Sequence, residues 1–363
     1  MHELIRRGTT VGLTAALFLT VTQTAQALDP DPVGKGAGQG AFSGSEEKPG
    51  ISAGVSRIRI TGGSSKGGGN TVQLTPANPG WKAPACWYEP KTSPKELKEK
   101  IESAKPKKRK PAKKTGTIFD DLNETHNNLA DGLSKQVVRL YEDYYQTDKY
   151  KNYNMAKQGK GMFWEGVKNP RRKDDPEADK CSRHAYWVDE GDPAPKNVPL
   201  AVSPKVLAEY AYEELPIPRT EISLNPEGKQ TVNLDTWVWA DKGKFKPVSV
   251  TASLDNPAMS ATTTAKPVSL TLEPGTDEAR TFPASGKCKL GEPYSAGRKD
   301  ETPPCGVRYL RATSGNGAYP LKATLTWEIS WTSTDGPGGE LPAGSFSTTH
   351  DVTVREIQSV VRD

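Results

Sequence analysis

Leu321-Lys-Ala-Thr-Leu-Thr-Trp-Glu-Ile-Ser-Trp331 is the stretch on which the fold turns. Its odd positions (Leu321, Ala323, Leu325, Trp327, Ile329, Trp331) are apolar, and its even positions (Lys322, Thr324, Thr326, Glu328, Ser330) are polar. A strand sends successive side chains to opposite faces, so this spacing predicts a strand with one face buried and one in water. A single strand cannot bury that face, so other segments must cover it. Working outward, 221–224, 231–239, 247–254, 267–272, 306–313 and 345–357 also read as strands. Turn chemistry separates several of them, as at Asn256-Pro257, Pro274-Gly275 and Gly336-Pro337-Gly338-Gly339. About seven alternating strands in some 150 residues predict an antiparallel, immunoglobulin-like β-sandwich. Just upstream, Ser203-Pro204 opens an amphipathic helix with Val206, Leu207, Tyr210, Ala211 and Leu215 on one side.

The amino-terminal part is built differently. Over the whole chain hydrophobic residues make up 34%, and 34 Gly and 30 Pro mark much of it as linker, loop and turn. Residues 1–27 read as a secretory signal peptide. Arg6 and Arg7 precede a short apolar stretch at 8–21, and Ala25-Gln26-Ala27 supplies small residues for cleavage. That stretch is too short for a membrane span, which needs about 20 residues. Residues 28–50 are rich in Gly, Ser and Pro and read as a disordered leader. An α+β region over 51–190 follows, then a proline-rich linker at 191–202, then the helix and sandwich over 203–363. Ser93-Pro94-Lys95-Glu96 carries the residues of a capping box and predicts a short polar helix. A second helix near 121–146 has Leu129, Leu133, Val137, Leu140, Tyr141 and Tyr144 at roughly helical spacing.

Four cysteines, Cys86, Cys181, Cys288 and Cys305, agree with an oxidising compartment. Four allow three pairings, and local sequence favours Cys86–Cys181 and Cys288–Cys305, since each pair brackets one compositional region. No close ligand spacing among them points to zinc.

Chemistry-bearing motifs are sparse. Gly50-Ile-Ser-Ala-Gly54 matches a G-x-S-x-G nucleophile pattern, but glycine-rich sequence precedes it and a strand follows, where the motif needs strand then helix. The glycine-rich segments at 34–40 and 62–69 lack G-x-x-x-x-G-K-[ST], so no nucleotide or other cofactor is expected. His126, His184 and His350 are widely separated, and no metal-ligand or catalytic set emerges. Two features remain as binding candidates. Lys105, Lys107, Lys108, Arg109, Lys110, Lys113 and Lys114 form a basic run broken by prolines, suited to an anionic polymer or to a solvated loop. The formal charge is +5, so that run alone exceeds it and the rest of the chain is net acidic. Trp237 and Trp239 share one face of their strand, either to stack on a sugar ring or partner peptide, or as core beneath the 203–215 helix.

Several of these residues also carry a resemblance. Leu215-Pro-Ile-Pro218, Asn225-Pro226, Val232-Asn-Leu-Asp-Thr-Trp-Val-Trp239, Thr324-Leu-Thr-Trp-Glu-Ile-Ser-Trp-Thr332 and Val354-Arg-Glu-Ile-Gln358 are similar to hallmarks of a family of exported actinobacterial proteins of unknown function. The resemblance covers residues 215 to the end. Some members carry an automatic ATP/GTP-binding label, which the absent phosphate loop does not support. Others sit beside secretion or conjugation-like machinery, which implies an envelope role by association. The resemblance supplies no catalytic residues. The expectation is therefore a secreted, non-enzymatic binding or assembly protein with an envelope protein or anionic polymer as partner. The alternative is a secreted hydrolase of cell-wall polymer with its site in the amino-terminal region.

Overall fold

The computed structural model describes residues 33–34, 51–52, 56–62, 71–106 and 118–357, apart from Lys242, Lys299 and Asn316. The expected signal segment, nearly all of the leader and the glycine-rich stretch at 63–70 lie outside these residues. In chain order the main elements begin with β1 (Arg59–Thr61), β2 (Cys86–Thr92), α1 (Pro94–Ser103), α2 (Ile118–Glu142), β3 (Gly161–Lys168), β4 (Tyr186–Asp189) and α3 (Pro204–Glu213). The strands β5 (Ile222–Asn225), β6 (Asp235–Ala240), β7 (Val248–Asp255), β8 (Ala258–Glu273) and β9 (Ala279–Phe282) follow. The chain ends with β10 (Lys287–Cys288), β11 (Gly306–Tyr309), β12 (Tyr319–Ser333) and β13 (Gly339–Arg355).

The protein is mainly β. An eight-stranded sheet runs β13-β12-β8-β7-β1, with Lys229–Thr231 outside β13 in parallel, β10 on β8, and Thr75–Pro76 on β13. A four-stranded sheet, β5-β6-β11-β9, packs on one half of it. Leu224, Val238, Val307 and Tyr309 from the small sheet meet Leu270, Leu272, Leu321, Ala323, Val352 and Val354 from the large one. The two sheets form a mainly antiparallel β-sandwich, as the alternation predicts at that coarser level.

The stretch at 321–331 does more than line that sandwich. Leu321 and Ala323 lie in the sandwich core, whereas Leu325, Trp327 and Ile329 on the same face lie in a second core beneath α3. A face two cores long explains why β8, β12 and β13 reach 16, 15 and 17 residues. Register breaks between Pro267 and Ser269 of β8, and between Trp327 and Ile329 of β12, fall near the change of cores. Ser203 caps α3 by accepting from the Val206 N–H, and Ala208 and Ala211 are fully buried against the sheet. There the buried Thr263 hydroxyl donates to the Ala208 carbonyl at 2.8 Å, so a polar side chain in the layer is satisfied.

The other side of α3 is covered by a three-stranded sheet, β2-β3-β4. Trp87 packs on Tyr210 with ring centroids 5.0 Å apart, and Trp81 on Tyr212 at 4.8 Å. Sheet, helix and sheet thus stack in three layers. The division expected at 191–202 is not a gap in packing. Tyr88 donates to the Leu200 carbonyl, Val202 donates back to Tyr88, and Val202 is buried. β1 and Thr75–Pro76, from the amino-terminal region, complete the large sheet.

Both favoured cysteine pairs are bonded, and no cysteine is free among the described residues. Cys86–Cys181 ties β2 to the segment crossing β3, where the Cys181 carbonyl passes so close over Gly166 that a Cβ would collide with it. Cys288–Cys305 joins β10 of the large sheet to the residue preceding β11 of the small one. It therefore spans the sandwich rather than merely closing a loop.

Aromatic packing has a consequence for pH. Burial pushes the Tyr145 phenol well above its ordinary value, raises Tyr186 and Tyr309 strongly, and moves Tyr212 up to about 12. The folded state keeps these protons above about pH 10, where the unfolded chain loses them, so stability falls as pH rises past that point. Lys91, lowered chiefly by burial, acts in the opposite sense just below the ordinary lysine value. Four phenols outweigh one ammonium. The urea midpoint is expected to hold between pH 7 and 9 and to drop by pH 11, and a midpoint unchanged at pH 11 would refute this account.

Candidate partner-binding surface

Of the basic run, Lys105 alone is described, and Lys107, Lys108, Arg109, Lys110, Lys113 and Lys114 lie outside the described residues. Lys105 is exposed and bonds Glu142 at 2.7 Å, a contact that raises its pKa. Most of the G-x-S-x-G segment is likewise outside, with Ile51 and Ser52 in a two-residue strand.

Trp237 is not available to a partner, and the helix does not cover it. α3 serves the other half of the large sheet, while Trp237 lies beneath the chain between Cys288 and Cys305. The Arg298 guanidinium sits 4.5 Å over its ring, and Tyr294 meets it edge-on at 5.6 Å. Glu292 and Glu301 hold Arg298 at 2.9 and 2.7 Å. Trp239, two residues on, is half-buried with Gly291 against its Cβ. An Arg298→Ala substitution is expected to wet the Trp237 indole and red-shift its emission. An unshifted spectrum would count against the stacked arrangement.

Sequence gives no warning of the two buried carboxylates in the amino-terminal sheet. Glu89 of β2 and Glu165 of β3 stand directly opposite one another and are 0% and 1% exposed. Glu89 accepts from the Arg57 N–H (2.6 Å), the Ser56 hydroxyl (2.7 Å), the Trp87 indole (2.8 Å) and Lys91 (3.4 Å). Glu165 accepts from Lys100 of α1 at 2.7 Å and from Thr92 at 2.9 Å. Burial pushes the Lys91 ammonium below its ordinary value. Every carboxylate oxygen here already has a donor, and both groups are closed to solvent. The arrangement fastens α1 and the 56–58 segment to the sheet.

A small cleft lies on the other face of this sheet, lined by Pro90, Met162, Asp189 and Asn256-Pro257. Its volume of about 10 Å³ is room for about one water. Asp189 there is held by Trp187 Nε1 and Lys157 Nζ, each at 3.0 Å, which lower its pKa. His184 stacks on Tyr144 at 4.2 Å within the tyrosine cluster, His350 is exposed on β13, and the His126 side chain is outside the described set. Among the described residues no three His, Cys, Asp or Glu are grouped to hold a metal ion, and no helix is long and apolar enough to cross a membrane.

The helix expected near 121–146 is present as α2, and its apolar residues fall on two sides. Val138 and Tyr141 are buried, with Tyr145 just beyond, in a cluster with Leu97, Ile101 and Phe163. Leu129, Leu133 and Leu140 instead point away, 63%, 44% and 50% exposed. At about 100° per residue these three fall within about 40° of one another, with Val138 on the opposite side. Two interleaved apolar stripes were legible as spacing, but spacing alone does not say which one the chain itself covers. Leu129, Leu133 and Leu140 therefore form an exposed apolar row along one side of the helix. Comparison with family models, with curated proteins and with solved structures finds no match for this chain.

Proposed function

We propose that this chain is an exported, non-catalytic binding or assembly protein of the cell envelope that docks through the leucine stripe of α2. The observation that carries the reading is Leu129, Leu133 and Leu140 standing exposed on a helix already packed on its opposite side. Covering each such side chain is worth about 1.5–3 kcal/mol. The two disulfides support an oxidising compartment. The signal-like segment at 1–27 and the resemblance to exported actinobacterial proteins point the same way. The basic run at 105–114 precedes α2 in sequence, and its composition suits an anionic polymer. Glu89 and Glu165, the buried carboxylate pair of the amino-terminal sheet, lend a hydrolase reading no support, since both are enclosed and occupied by structural donors.

The test is recovery of the exported protein with the envelope fraction, comparing the native chain with Leu129→Glu/Leu133→Glu and with a deletion of 105–114. Recovery should fall at least tenfold for the leucine variant. It should lose its salt dependence in the deletion. Unchanged recovery for the leucine variant would refute the docking surface.

A further inference from the structure

We draw no further inference here: the strongest candidate, the exposed row of Leu129, Leu133 and Leu140 along α2, belongs to the docking surface already proposed, and nothing in the structure shows what covers it.

Discussion

Trp327→Ala is expected to destabilise the protein by about 3–5 kcal/mol, the range for removing a large aromatic side chain from a packed core. Trp327 is fully buried in the core shared with α3. Its cross-strand neighbours are Pro267 on β8 and Gly344 on β13, neither of which carries a long side chain that could swing into the space left behind. Gly344 cannot be enlarged to compensate, since a Cβ there would lie 2.6 Å from Leu74 and from the Tyr212 hydroxyl. The cavity should therefore persist, and Trp327→Phe should recover about half of the loss. Urea unfolding is the measurement, with a lowered midpoint and an unchanged slope. Because β12 lines both the α3 core and the sandwich core, the two halves should unfold in one transition. A loss under about 1 kcal/mol, or two separate transitions, would show that the strand does not couple the cores.

How far the sequence reaches is visible in that strand. The two-residue period at 321–331 announces a buried face, and the turns between strands announce an antiparallel sandwich. Neither says that Leu321 and Trp327 lie in different cores, since both simply face inward. The period also loses its phase at the register break near Pro267, so the first half of β8, from Ala258, went unread. Short strands such as β9 and β10 are fixed by their partners in the sheet, not by pattern. At α2 the helical period was real but served two faces, one for Tyr141 and Tyr145 and one for Leu129 and Leu133. For Trp237 the sequence leaves open a binding face or a place beneath α3, and neither holds, because Arg298 reaches it from the disulfide-closed excursion. The Glu89 and Glu165 network was the least legible. A charged residue reads as surface until its distant donors, Arg57 N–H, Lys100 and Thr92, are known.

That network carries the other large expected effect. Replacing Glu89 by Gln keeps the shape but removes the charge, and it turns one acceptor oxygen into a donor facing other donors. Lys91 is then a buried ammonium without Glu89 as counter-ion, and one of the Arg57, Ser56 and Trp87 donors meets an N–H₂ group. Breaking a buried pair from one side costs about 3–5 kcal/mol, more than the pair itself is worth. The same side chain holds the 56–58 segment that leads into β1, the edge strand beside β7. Glu89→Gln should accordingly expose Arg57 and Arg59 to trypsin before the rest of the fold opens. The double variant Glu89→Leu/Lys91→Leu supplies the control, because removing both charges leaves no uncompensated ion. It should recover most of the stability in urea while still releasing the 56–58 segment to the protease, since the acceptor for its N–H is gone. This pattern separates a fastening role from an acid–base one. A catalytic carboxylate would leave stability unchanged on conversion to Gln, and a cost below about 1 kcal/mol with no early cleavage would remove Glu89 from the framework of the fold.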